Sequence, residues 1–188
     1  MISKLASIAL GATALSIGGC MTVAPADTPA LSYVGGAAMY PGKTIVENAV
    51  NSPDHTTLVA AVKAAGLVDT LSGAGPFTVF APTNSAFAKL PGGTVDTLLR
   101  PENKGALQSV LTYHVVPGRV TAADLAGLIS AGGGQAQLTT VQGATLTARM
   151  MGNQIMLVDG KGGMSHVTQG DVMQSNGVIH VVDNVLMS

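Results

Sequence analysis

The sequence predicts an α+β domain behind an export signal. Two observations carry the fold class. Apolar residues recur at three- and four-residue spacing through the first half of the chain. Short β-branched runs separated by Gly, Asn or Asp then take over. Helices first and strands later argue against alternating βαβ units. A third observation is uniformity: there is no internal repeat and no second shift in composition between Pro41 and Ser188. That stretch is long enough for one domain burying about two-thirds of its unfolded surface. The predicted organisation is residues 1–20 as signal, 21–40 as linker and 41–188 as the domain.

The signal comes first. Met1-Ile2-Ser3-Lys4 carries one positive side chain, Leu5–Ile17 is apolar or small throughout, and Gly18-Gly19-Cys20 follows. A basic start, a short apolar stretch and a small-residue exit describe a secretory signal. The stretch is too short to span a bilayer, which takes about 20 apolar residues. Cys20 is the only cysteine, so no internal disulfide forms. Ile17-Gly18-Gly19-Cys20 resembles the bacterial lipobox, which makes Cys20 a candidate for acylation and anchoring. Ala24-Pro25-Ala26 is a rival exit that would release a soluble protein starting at Asp27. A flexible linker over 21–40 would reach roughly 25 Å.

Within the domain, Thr44–Val50 reads as a short helical segment. Leu58, Val59, Val62 and Ala65 mark a helix that Gly66 stops. Phe77–Phe80 reads as a strand ended by Pro82, with Thr83 or Asn84 capping the next helix and Phe87 and Leu90 on one of its faces. Pro101 opens a helix with a Leu107, Val110 and Leu111 stripe. Tyr113–Gly118 leaves that helix and becomes extended. Thr121 caps a helix that runs out in Gly132–Gly134. Strands are predicted over Gln137–Val141, Ala144–Thr147, Gln154–Val158 and Val178–Val182, and Asp183-Asn184 turns into a last short strand. Asp159–Gly163 reads as a mobile turn without the acidic ligands calcium needs.

The searched catalytic signatures, G-x-S-x-G, H-E-x-x-H, the Walker loop and the dinucleotide glycine motif, do not occur. No cofactor or metal is predicted. The net charge is −1, only 10% of residues are charged, and there are six aromatics and no Trp. Nucleic acid is therefore excluded as an expected partner, because there is neither a phosphate-neutralising patch nor a stacking platform.

Three ordered segments stand out: Thr78–Phe87 (TVFAPTNSAF), Tyr113–Gly118 (YHVVPG) and Asn176–Met187 (NGVIHVVDNVLM). Together they resemble the signature boxes of the fasciclin (FAS1) domain family, over about Thr44–Ser188. The resemblance implies a wedge-like sandwich of two β-sheets with helices packed at its N-terminal side. It also implies a non-catalytic envelope or surface module for adhesion, matrix attachment or protein contact, self-association included. Thr83, Asn84, Phe87, His114, Asn176, Gly177, His180 and Asp183 belong to the signature segments. Tyr113-His114 and Asp171-Val172-Met173 match stretches linked to integrin binding in animal members, with Gln169-Gly170 where those have Glu-Pro.

Plain structural roles compete with these. His114 and His180 lie among apolar residues and suit buried, hydrogen-bonded imidazoles. Thr83, Asn84, Asn176 and Asp183 suit caps and turns, and Asp171–Met173 suits a strand at the core edge. Two other functions stay open. A metal-dependent enzyme would need His55, His114, His166 and His180 to converge with Asp171 and Asp183. A small-molecule carrier would use the nine methionines, among them Met150, Met151, Met156, Met164 and Met173, as soft apolar lining.

Overall fold

Two glycines at positive φ shape the first hairpin among the described residues. The computed structural model describes residues 31–187; Cys20, the rest of the export signal and the Ala24–Ala26 exit lie outside the described residues. Ser32–Val34 (β1) and Ala37–Met39 (β2) pair antiparallel around Gly35-Gly36. Those glycines sit at φ +59° and +81°, the conformation a tight hairpin turn demands. The linker expected up to Tyr40 is thus corrected over 31–40. Val34 and Met39 are only 3% and 2% exposed and join the main apolar cluster. Small residues around them give a linker-like composition, but their burial decides the conformation.

The helical half follows. Ile45–Asn51 (α1) begins with a capping box, in which Thr44 Oγ1 accepts from the Glu47 amide and the Glu47 carboxylate accepts from the Thr44 amide. A 3-10 turn at Pro53–His55 leads into Thr56–Ala65 (α2), which ends on Gly66 at φ +72°. Val68–Leu71 (α3) is a single turn before Phe77–Pro82 (β3). Asn84–Ala88 (α4), Thr94–Leu98 (α5) and Lys104–Tyr113 (α6) follow. Val115–Pro117 (β4) leads to Ala122–Ala131 (α7), which opens on a second capping box, Thr121 with Asp124.

The strand-rich half comprises Gln135–Thr139 (β5), Thr145–Met151 (β6), Gln154–Val158 (β7), Met164–Gln174 (β8) and Gly177–Val182 (β9). The seven strands from β3 onward run in the order β4-β3-β9-β8-β7-β6-β5. Every neighbour is antiparallel except β3 and β9, which pair parallel from Phe77–Gly177 to Pro82–Val182. β8 belongs to both halves of the wedge. Its first residues pair with β7 and its last with β9, and its register slips between Val167 and Gln169 and again before Val172. Such bulges bend a strand so that it can pass from one sheet to another. The Val141 amide donates to the Val115 carbonyl at 2.8 Å, which draws the two edges of the sheet together.

The buried pair β3/β9 divides the core. Val79, Ala81, Ile179 and Val181 face Ile45, Leu58, Val62, Leu107 and Leu111 of the helices. Phe80 and Val182 face Leu125, Leu138, Leu146 and Leu157. Both faces are covered, so β9 is buried along its whole length. The last strand expected after Asp183-Asn184 does not form. Among the described residues Val185–Met187 pairs with no strand and is held by side chains instead.

Candidate functional site

The first signature segment is a fastener between β3, α4 and α2. Thr83 Oγ1 accepts from the Ala86 amide at 3.3 Å and caps α4, as its sequence position suggests. Asn84 turns the other way: its Oδ1 accepts from the Thr57 amide at 3.0 Å and its Nδ2 donates to the Pro53 carbonyl at 2.8 Å. One amide side chain therefore holds the entry to α2. Phe87 is buried in the helical cluster.

The second segment is interior. Tyr113 is fully buried except that its hydroxyl donates to the Thr145 carbonyl and accepts from the Gly160 amide, both at 3.1 Å. His114, 2% exposed, donates from Nδ1 to the Val110 carbonyl at 2.7 Å and accepts at Nε2 from the Leu186 amide at 3.0 Å. Those two partners require the neutral ring with its proton on Nδ1. Burial pushes the His114 pKa down to about 4, against a smaller opposing effect of the Val110 hydrogen bond. Burial likewise raises the Tyr113 hydroxyl. The expectation that Tyr113 and His114 contact a partner is corrected by this geometry, since the packing of α6 against β4 and the C-terminal segment leaves neither side chain at the surface.

The closing segment is a hub. Asn176 Oδ1 accepts from the Ile45 amide at 3.0 Å, and its Nδ2 donates to the Leu71 and Gly73 carbonyls at 2.7 and 3.0 Å. It joins the starts of α1 and β9 to the end of α3. Gly177 has no room for a side chain: a Cβ there would stand 1.9 Å from the Phe77 carbonyl oxygen. His180 stacks on Phe80 with centroids 5.6 Å apart and donates from Nε2 to the Val120 carbonyl at 2.8 Å. Among the described residues its Nδ1 has no partner; it is buried facing Gly170, and burial lowers its pKa. Burial favours the neutral form of Asp183, but the hydrogen bond from the His166 amide and the nearby Lys89 and His166 outweigh it, so its carboxyl titrates below the ordinary value.

Asp171, Val172 and Met173 do not act as one patch. Val172 is fully buried, and Met173 is half-buried. Asp171 is exposed at φ +56°, and its Oδ1 accepts from the Ala122 amide at 2.7 Å, the first residue of α7. A carboxylate there complements the positive end of the helix.

Sequence reasoning missed Asp159. It is 8% exposed rather than part of a mobile turn; its Oδ1 accepts from the Lys161 and Gly163 amides and its Oδ2 from the Met187 amide. The signal available was Asp before Gly-Lys-Gly-Gly, an Asx-turn pattern. Among the described residues no group of three or more His, Cys, Asp or Glu side chains is placed to hold a metal ion, so the histidines weighed for an enzyme do not converge. The cavity among α1, α2, α6 and β3 is about 30 Å³ and lined by apolar side chains together with His114, far below the roughly 300 Å³ of a small-molecule site. The hollows of about 310 and 490 Å³ are open grooves at the surface.

The Fasciclin domain family model matches residues 53–188. Protein sll1483 of Synechocystis sp. is 46% identical over 172 residues, covering 90% of this chain and 88% of that protein. Immunogenic protein MPB70 of Mycobacterium bovis is 37% identical over 174 residues, covering 90% and 80%. Cell surface glycolipoprotein MPB83 of the same species is 35% identical over the same length, covering 90% and 70%. Among solved structures, a FAS1 domain pair from the insect cell adhesion molecule fasciclin I matches with a TM-score of 0.69 at 20% identity. That match covers 78% of this chain and 51% of the other, so this chain spans about half of the pair. The three signature segments, the parallel β3/β9 core they build and the match over most of the chain converge on one conclusion: the chain belongs to the fasciclin (FAS1) domain family.

Proposed function

We propose that this chain is a non-catalytic binding or adhesion module of the cell envelope, exported by its N-terminal signal and tethered through acylated Cys20. One observation carries the non-catalytic reading. The polar side chains of the signature segments, from Asn84 and His114 to Asn176 and Asp159 beside them, bond backbone groups of the domain itself. Groups so engaged hold a fold and are not free to meet a substrate. Relatives named as a cell surface glycolipoprotein and an immunogenic protein support an exposed location. The partner in this reading is a protein or matrix component met by the exterior, with Tyr113 and His114 acting only as supports; Asp171 and Met173 are the members of the earlier set that reach the surface.

Two measurements test it. Cys20→Ser should abolish acyl labelling and release the protein from the membrane fraction; retention with unchanged labelling would refute the tether. Native affinity capture of the acylated protein from its own membranes should recover one partner, or a second copy of the chain, reproducibly above background. Recovery of nothing above background would count against an adhesive role.

A further inference from the structure

The outward face of the β6–β7–β8 sheet brings Met156, Met164 and His166 together, and of these only His166 touches a signature residue, Asp183. On β8, Ser165 and Val167 point inward and are buried, so Met164 and His166 point outward. On β7, Ile155 and Leu157 belong to the inner cluster, so Met156 points outward as well. Met156 stands directly opposite His166, while Val158 stands opposite Met164. Directly paired residues on one face lie about 4.5–5.5 Å apart at Cβ and diagonal ones about 7–8 Å. Two thioethers and one imidazole therefore form a triangle on one face, within mutual reach of long side chains. Met164 is 56% exposed, whereas Met156 is 8% exposed although it belongs to neither apolar cluster.

The imidazole is also oriented. The Asp183 Oδ2 atom lies 3.5 Å from His166 Nδ1, and Asp183 Oδ1 accepts from the His166 amide at 2.7 Å. This leaves Nε2 for a ligand, in the arrangement where a carboxylate behind a histidine sets its orientation and basicity. The nearest cation in the register, Arg149 opposite Met156, directs its guanidinium to Gln135 Oε1 at 2.9 Å.

We infer that Met156, Met164 and His166 form a surface site for a soft monovalent cation, copper(I), bound through two thioether sulfurs and one imidazole nitrogen. Thioether and imidazole donors select copper(I), whereas calcium and magnesium require oxygen ligands. Asp183 behind His166 is shared with Lys89, whose Nζ lies 3.6 Å from the same Oδ2, so the soft donor set, and not a net negative charge, carries the selectivity. The site is independent of the adhesive reading and of the anchor.

The test uses the full chain carrying Cys20→Ser, so that the thiol does not compete, with methionine methyl groups labelled for NMR. Silver(I) is the redox-inert probe, and copper(I) held by bicinchoninate is the competition probe. One equivalent of silver(I) should shift the methyl signals of Met156 and Met164 and the ring signals of His166, leaving Met150, Met151 and Met173 in place. Met164→Leu, at an exposed position, and His166→Ala, at a half-buried one, should each weaken binding about tenfold or more. Shifts spread evenly over the exposed methionines, binding unchanged in the two variants, or no binding at all would each overturn the proposal.

Discussion

His114 Nε2 accepts the amide hydrogen of Leu186 at 3.0 Å, across 72 residues of sequence. Through its other nitrogen the same ring bonds the Val110 carbonyl. A neutral imidazole thus ties the last turn of α6 to the C-terminal segment, which no strand partner holds. A second proton would set an N–H donor against the Leu186 N–H.

Acid sensitivity follows. The folded state keeps His114 neutral to about pH 4, whereas the unfolded chain takes up a proton near the ordinary 6.5. The unfolded state binds more protons between those values, so stability falls as pH drops from about 6.5 toward 4, by roughly 3 kcal/mol for this ring. His55 and His180, lowered by burial, act in the same direction. Asp183, whose folded carboxyl titrates below its ordinary 3.8, loses its contribution only at still lower pH. Urea midpoints at pH 7.5 and 4.5 should differ clearly, and His114→Gln should flatten much of that difference while lowering stability at both. Equal midpoints in the parent protein would contradict the buried neutral ring.

Asn176→Ala leaves the Ile45 amide and the Leu71 and Gly73 carbonyls without their partner in a buried site. The expected loss is about 2–4 kcal/mol, read from denaturant midpoints. Gly177→Ala should be worse, because its Cβ meets the Phe77 carbonyl and separates the parallel pair. A soluble Gly177→Ala protein with parental stability would mean that β3 and β9 are not paired in this register.

At Asp171 the identity of the replacement matters. Asparagine tolerates the positive φ and keeps an oxygen for the Ala122 amide, so Asp171→Asn should be close to neutral. Asp171→Ala loses the cap and strains the backbone, at about 1–2 kcal/mol. Partner capture unaffected by Asp171→Asn but reduced by Asp171→Ala would show a supporting role; equal loss in both would assign the carboxylate to the contact itself.

The hairpin offers a direct check on where the domain begins. Met39→Ala should cost about 2–5 kcal/mol, as for other buried Met truncations. A linker residue would cost nothing, so an unchanged thermal midpoint would move the start of the domain past Tyr40.

Much was legible because it is local. Thr44 with Glu47, Thr121 with Asp124, Gly66 after α2 and the strand Gln154–Val158 each follow from side chains and backbone within a few residues. Helices α3 and α5, at four and five residues, show too little periodicity to read, and the β1–β2 hairpin hides in small-residue composition. Most of β8 escaped notice because its bulges break the alternation that marks a strand.

By itself the sequence determined the class, the family and the order of the longer elements, since caps, turns and periodicity act over short range and the signature boxes keep their order. It also singled out the signature residues, though not Asp159. Only the tertiary structure decided what they do. The parallel β3/β9 pair buries Gly177, His180 and Asn176, His114 reaches Leu186 rather than solvent, and Met156 stands opposite His166 across a strand pair. Each of those outcomes depends on which distant segments pack together, and packing at long sequence separation leaves no local trace in the residues that take part.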